Sequence, residues 1–215
     1  MTPTRDSTEA RTRGRAGDSG ESGDDARDRA WLAAVARGDR RAFEQMYLHH
    51  HARLSRFVAR HVAQRDLVED VISETFWIVW RSANTFRGDS KASTWIIGIA
   101  WRCLMKAVRA RPRGAGSGEG DALDTTPDEG EADAGEQREL RDWIRGGLAL
   151  LPPDQRTTIE LAYFLGQSCE EIASIMECAV GTVKARLFHA RVRLRNTLPL
   201  LGGDVAAASA GGQTS

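Results

Sequence analysis

Apolar residues recur at steps of three and four over residues 28–112 and again over 138–200. Nowhere does the chain alternate apolar with polar as a half-buried strand does. The first stretch predicts a helix over DLVEDVISETFWIVW, Asp66 to Trp80, with Val68, Val71, Ile72, Thr75 and Val79 on its inward face. A break at FRGDSKAST follows, then a long helix from about Thr94 to Arg111 with Ile96, Ala100, Cys103, Leu104 and Ala107 inward. The second stretch is punctuated by Pro152-Pro153, with Pro199 as its stop. Between them, residues 113–137 hold much Gly and acid together with Pro127, and read as a flexible linker. The expected fold is all-α: two small helical domains joined by a flexible acidic linker, the second ending in a helix-turn-helix.

The segment SCEEIASIMECAVGTVKARLFHARVRLR, Ser168 to Arg195, is the most informative. Ser168 and Glu171 have capping-box spacing, which starts a helix near Cys169. Ile172, Ala173 and Met176 supply its apolar side, and the chain breaks at Glu177 to Ala179. Val180, Val183, Leu187, Ala190 and Leu194 then form one buried stripe on a second helix. The opposite side carries Ala185, Phe188, His189 and Val192 among Lys184, Arg186, Arg191, Arg193 and Arg195, and no acid occurs between Ala179 and Arg195. Such a helix suits the major groove: arginines neutralise phosphates, and Phe188 or Ala185 is placed to meet a thymine methyl. An amphipathic surface helix of a bundle has the same stripe, but not the exposed Phe188 and the absence of counter-charges.

Composition adds little until charge is mapped along the chain. The formal net charge is zero, with 30 basic and 30 acidic residues. Yet Arg81 to Arg113 holds eight Lys/Arg against Asp89 alone, net +7, whereas Gly114 to Asp142 holds ten acids against two arginines, net −8. Two basic regions held apart by an acidic connector point to two surfaces for a polyanion. The three cysteines, Cys103, Cys169 and Cys178, form no C-x-x-C pair, which fits reduced thiols and a cytoplasmic protein. Residues 1–27 lack the apolar core of a signal peptide, and no apolar run approaches the ~20 residues that span a bilayer. Both 1–27 and the Ala/Gly-rich 201–215 read as disordered tails.

The first domain has two candidate surfaces. Asp66, Glu69 and Asp70 crowd the opening turns of the first long helix, where the helix dipole favours carboxylates. Trp77 and Trp80 cannot both lie at the centre of its inward face, so either both are core residues at its edges or at least one meets a partner. On the next helix Trp95, Gly98, Arg102, Lys106 and Arg109 share the side opposite the core. A ring in register with three cations suits melted DNA, whose bases stack on the ring while the cations follow the backbone. The same side also reads as a solvated basic face with Trp95 capping the core.

These residues resemble the extracytoplasmic-function (ECF) group of bacterial RNA polymerase sigma factors, over about residues 28–112 and 138–199. DLVEDVISETFWIVWR is similar to the helix that grips the clamp helices of the polymerase largest subunit. TFRGDSKASTWIIGIA resembles the element that opens the promoter and reads its −10 region, and LPPDQRTTIELAYFLGQSCEEIASIMECAVGTVKARLFHARVRLR the domain that reads the −35 element. The resemblance implies polymerase contacts by Asp66, Glu69, Asp70, Glu74, Trp77 and Trp80. It implies −10 contacts by Arg87, Asp89, Ser90, Lys91, Thr94, Trp95, Arg102, Lys106 and Arg109, with a flipped base held at the loop. It implies −35 contacts by Thr182, Lys184, Ala185, Arg186, Phe188, His189 and Arg191. Expected partners are core polymerase (largest-subunit clamp helices and the flap of the second largest), double-stranded and melted promoter DNA, and an anti-sigma factor; no cofactor, membrane insertion or small-molecule substrate is implied. Two departures stand out. The family's I-A-x-N is here Ile99, Ala100, Trp101, Arg102, which exchanges an amide that donates and accepts for a group that only donates. The serine usual after the G-T-V-K lysine is Ala185.

Two other classes are weaker. A stand-alone helix-turn-helix regulator leaves the acid-and-tryptophan helix unemployed, and it normally needs a dimer seam that this chain lacks. An enzyme or metal protein could start from His49-His50-His51, but adjacent helical residues point about 100° apart and do not converge on one ion without outside ligands. There is no phosphate-cradling Gly-rich loop, so no catalytic residue is expected.

Overall fold

The computed structural model describes residues 18–110 and 134–210, and side-chain surroundings for 23–110 and 140–199. All regular structure among them is helical: α1 Asp18–Val35, α2 Arg40–Ala59, α3 Arg65–Ser82, a single 3-10 turn Ala83–Thr85, α4 Ala92–Ala110, α5 Ala134–Ala149, α6 Pro153–Tyr163, α7 Cys169–Met176 and α8 Val180–Ala210. Helices α1 to α4 pack together as the first domain, and α5 to α8 as the second.

Local chemistry explains the breaks. Gly38, at φ 85°, takes the left-handed turn after α1 that a Cβ would strain. Asp39 then caps α2, its carboxylate accepting from the amides of Arg41 and Ala42. Ser168 and Glu171 form the full capping box: Ser168 Oγ accepts from Glu171 N at 3.2 Å and Glu171 Oε2 from Ser168 N at 2.7 Å. Glu177 ends α7 in the left-handed conformation, φ 52° and ψ 48°. The predicted stripes are the core: Val68, Val71, Ile72, Thr75 and Val79 on α3, Ile96, Ala100, Cys103 and Leu104 on α4, and Val183, Leu187 and Ala190 on α8 are all buried.

Three boundaries differ from expectation. Helix α1 starts at Asp18, inside the stretch 1–27 read as a tail, because acidic and small residues there continue the helix that Trp31 and Leu32 anchor. Helix α5 starts at Ala134, inside the expected linker; the rest of the linker lies outside the described residues, as do 1–17 and 211–215. Helix α8 runs through Pro199 to Ala210 instead of stopping there. A proline removes one backbone hydrogen bond, and α5 holds the helix at that point: the Trp143 indole donates to Leu198 O at 2.8 Å.

The two domains are packed against each other. Five consecutive residues of α4, Ile96 to Ala100, and five of α6, Thr157 to Leu161, are buried. A helix with one solvent face cannot bury five in a row, since they span more than a full turn. Helix α4 has α3 on one side and α7 on another, while α6 has α8 on one side and the end of α2 near its other. Gly98, expected on the exposed face of α4, is buried; the Arg102 guanidinium of the same helix lies 3.6 Å from where its Cβ would stand.

Candidate nucleic-acid interface

The second helix of the helix-turn-helix presents Thr182, Lys184, Ala185, Phe188, His189 and Arg191 to solvent. Phe188 is 61% exposed, with the His189 ring against it at 5.4 Å between centroids. Arg191 reaches sideways, its Nε donating to Tyr163 Oη at 3.0 Å. Arg186 does not stand with this group. It is half-buried, turned back onto α6, where it pairs with Asp154 and lies 3.7 Å from Cys178 Sγ. Asp154 and Tyr163, which fix these two arginines, were not singled out from the sequence; only their helical position facing α8 could have flagged them.

The loop between α3 and α4 is held from an unexpected side. Asp25 Oδ1 accepts from Ala92 N at 2.8 Å, capping α4, while Asp25 Oδ2 takes Arg29 Nε at 2.7 Å. Arg29 donates to Ser90 O at 2.8 Å and to Gly88 O at 3.4 Å, and its guanidinium lies 5.4 Å from the Phe86 ring centroid. Phe86 in turn packs on Trp95, 5.5 Å between centroids. Arg87 and Asp89 remain exposed and pair with each other at 3.0 Å. Asp25 lay in the stretch read as a tail and Arg29 beyond any motif, so sequence reasoning missed both.

Gly88 has φ 81°, and a Cβ there would stand 2.8 Å from Arg29 Nη1. Gly88→Ala is therefore expected to displace Arg29 and distort the loop, lowering stability by about 1–3 kcal/mol through backbone strain. Chemical denaturation of both proteins checks this, and an unchanged midpoint would contradict the loop geometry.

Along α4, Arg102, Lys106 and Arg109 are exposed and Trp95 is half-buried, as the spacing predicted. Thr94, in contrast, is buried, donating to Gln167 Oε1 at 2.8 Å. Lys106 Nζ is 2.7 Å from Glu74 Oε1, and this hydrogen bond and charge hold its ammonium above the ordinary lysine value. On α3, Asp66, Glu69 and Asp70 are exposed. Trp77 is 59% exposed, while Trp80 packs edge-on against Phe43, 5.2 Å between centroids. Trp77 is the more exposed of the pair, and Trp80 is half-buried.

A charged group lies where the domains meet. Glu160 of α6 has no solvent exposure; its Oε1 takes Arg156 Nε at 3.1 Å and its Oε2 lies 3.0 Å from His61 Nε2. Arg156 Nη2 donates to Arg60 O at 2.7 Å, and the Arg60 guanidinium stacks 3.6 Å over Phe164. Burial pushes the Glu160 carboxyl up, but His61 and Arg156 outweigh it and hold the group below its ordinary value of 4.5. A carboxyl with a depressed native pKa binds fewer protons folded than unfolded. Its stabilisation is thus complete above that ordinary value and is lost as pH falls through the native one. Thermal melts between pH 7 and pH 3 should fall more steeply for the native chain than for Glu160→Gln; parallel curves would contradict this.

One further cluster concerns metal binding. Asp28, brought by α1, joins His49 and His50, with donor atoms within 4.8 Å of one another among the described residues. The outside ligand that the histidine run lacked in sequence is thus present. Arg27 Nη2, however, donates to His49 Nε2 at 2.9 Å, so that ring nitrogen's lone pair is already engaged.

Two helical units, one carrying an exposed basic helix-turn-helix face and the other a cationic helix with an aromatic ring, define a DNA-binding protein of bipartite design. The chain matches the family models "Sigma-70 region 2" over residues 46–114 and "Sigma-70, region 4" over residues 141–194. It is 34% identical over 184 residues to the RNA polymerase sigma-H factor of Pseudomonas aeruginosa, covering 81% of this chain and 95% of that protein. To the ECF RNA polymerase sigma-E factor of Escherichia coli K12 it is 33% identical over 184 residues, covering 81% and 96%. Among solved structures it resembles CnrH in complex with the cytosolic domain of CnrY, at TM-score 0.61, 23% identity and 81% and 98% coverage. It also resembles RpoE in complex with the anti-sigma factor NepR from Bartonella quintana, at TM-score 0.53, 25% identity and 73% and 96% coverage. The chain belongs to the ECF sigma factors and is a promoter-specificity subunit of RNA polymerase. No described helix is long and apolar enough to cross a membrane.

Proposed function

We propose that α3 docks the chain on core polymerase, that the α3–α4 loop and α4 open and hold the −10 element, and that α8 reads the −35 element. The observation that carries this division is the coexistence of two surfaces with different chemistry. An acidic face with one solvent-exposed tryptophan suits a protein partner, since a large ring surrounded by polar groups is the usual composition of an interface hot spot. A basic face with an exposed phenylalanine suits DNA, where cations bind phosphates and apolar atoms meet base edges. A stand-alone regulator has no use for the first surface, and the region 2 match leaves that reading unfavoured.

Residues 28–112 form the polymerase-binding and promoter-opening unit, and residues 138–200 the upstream-reading unit. Tethering turns the second DNA contact into an intramolecular one, at effective concentrations near the millimolar range for short linkers. Lys184, Ala185, Phe188 and His189 face the groove, and Arg191 meets phosphate. Arg186, paired with Asp154, acts as a brace for α8. Arg87, Asp89, Ser90 and Lys91 line the loop, with Trp95 stacking a base and Arg102, Lys106 and Arg109 tracking the strand. Asp25 and Arg29 join this site as positioning residues, because they set the loop. The chain works in the cytoplasm as a specificity subunit and carries no catalytic residue; RNA synthesis belongs to the polymerase. Its partners include an anti-sigma factor, a reading supported by the similar RpoE structure, whose partner is one.

Permanganate footprinting of the holoenzyme on a cognate promoter tests the opening role. Trp95→Ala should abolish reactive thymines around the start site while the upstream footprint persists. Unchanged reactivity would remove Trp95 from the opening step.

A further inference from the structure

Helix α1 brings a buried acid against two of the three consecutive histidines of α2. Asp28 and His50 are each more than nine-tenths buried, and His50 Nε2 lies 3.2 Å from Asp28 Oδ2. Yet no hydrogen bond joins them: among the described residues, His50 Nε2 and Asp28 Oδ1 are both buried without a hydrogen-bond partner. A buried carboxylate so poorly satisfied is costly, and a cation held beside it removes the cost. His49 completes the group, with one donor atom from each residue within 4.8 Å of the others. Ligand atoms at about 2.0–2.1 Å from a tetrahedral zinc stand about 3.3 Å apart, so Asp28 and His50 already have the spacing of two ligands. His49 is the exposed member, and closing the last ~1.5 Å falls to its ring. Two imidazoles and one carboxylate suit a borderline divalent transition ion such as Zn2+, whereas Mg2+ and Ca2+ take oxygen ligands.

One neighbour opposes the ion. Arg27 Nη2 donates to His49 Nε2 at 2.9 Å, and a guanidinium has no lone pair, so Nε2 accepts and Nδ1 carries the ring proton. An ion on either nitrogen makes Arg27 let go. It competes for Nε2 directly, and on Nδ1 it moves the proton to Nε2, where two donors would meet. Arg27 keeps a partner when it does so, since the same Nη2 lies 3.1 Å from Asp24 Oδ1.

We propose that Asp28, His49 and His50 bind one zinc-class divalent ion, which ties α1 to α2 and leaves Arg27 on Asp24. Asp25 and Arg29 flank Asp28 on α1; the first caps α4 at Ala92 N and the second holds the Gly88 and Ser90 carbonyls. The ion therefore steadies the helix that sets the α3–α4 loop. Ion binding itself does not depend on what that loop recognises.

The test uses the full chain, stripped with EDTA and dialysed, then titrated with Zn2+ by calorimetry and with Co2+ by visible absorption. The expected result is one ion per chain, a higher melting temperature with Zn2+ than without, and cobalt bands of a tetrahedral nitrogen–oxygen site. His49→Ala removes an exposed ligand and should weaken Zn2+ binding by roughly tenfold or more, with the circular dichroism of the metal-free chain unchanged. Asp28→Asn, of equal volume, should do the same; if it unfolds, His49→Ala decides alone. His51→Ala should leave binding unchanged, because His51 lies on the Glu69 side, 3.9 Å from its Oε2. Arg27→Ala, which frees the His49 lone pair, should tighten binding; affinity no greater than that of the native chain overturns the displacement of Arg27. No uptake at micromolar Zn2+, or equal affinity in His49→Ala and the native chain, overturns the site and leaves Asp28 and His50 a buried ion pair. Sulfur-to-cobalt charge transfer overturns it too, by placing the ion on Cys103, Cys169 or Cys178.

Discussion

Trp77→Ala is expected to weaken binding to core polymerase by roughly thirtyfold or more, the loss typical of a hot-spot tryptophan at about 2 kcal/mol or above. The folded chain should lose little, because the ring is 59% exposed. The Arg81 guanidinium lies 5.8 Å from its ring centroid. Trp80 is the control on the same helix. It packs against Phe43 and the α3 core, so Trp80→Ala should lower the melting temperature and reduce polymerase binding only in proportion to unfolding. Polymerase pull-down or anisotropy titration with labelled chain, beside thermal melts, separates the two. Equal loss of stability in both variants would place Trp77 in the core and remove the proposed docking role.

Lys184→Glu is expected to abolish selective promoter binding by the holoenzyme. A lysine in a base-reading position is worth about 1–3 kcal/mol, and reversing its charge adds repulsion from nearby phosphates. Lys184 is exposed and stands beside Phe188 on α8, so the substitution disturbs no packing. Arg186→Ala should behave in another way. Its guanidinium is engaged with Asp154, so its loss should loosen α8 on α6 and weaken binding uniformly across sequences. Competition between specific and scrambled promoter fragments, followed as salt is raised, distinguishes a lost base contact from a lost brace.

Residues in periodic order on one element could be read from sequence, because helical spacing by itself decides which side is buried. The capping box at Ser168, the turn at Glu177 to Ala179 and the stripe Val183–Leu187–Ala190 needed only local rules. The exposed basic face of α8 followed from what that stripe left over. Arg186 escaped because a position on a helix wheel does not reveal a partner on a neighbouring helix, here Asp154. Asp25 and Arg29 escaped for a related reason: their partners, Ala92 N and the carbonyls of Gly88 and Ser90, lie about 60 residues away in sequence, and backbone groups carry no sequence signature. The contact between the two domains was equally hidden. Glu160 is a charged residue on an otherwise ordinary helix, and nothing in its neighbours says that His61 will meet it. Pro199 shows a local rule overruled by packing, since α5 holds the helix through it.

The central claim is that this chain confers promoter choice on RNA polymerase through two separate elements. In vitro transcription from a library of genomic promoters, with purified core polymerase in the presence and absence of the chain, tests it most directly. The expected result is a set of transcripts that appears only with the chain and shares two upstream elements at fixed spacing. No new start sites, together with tight sequence-specific DNA binding by the chain alone, would contradict it.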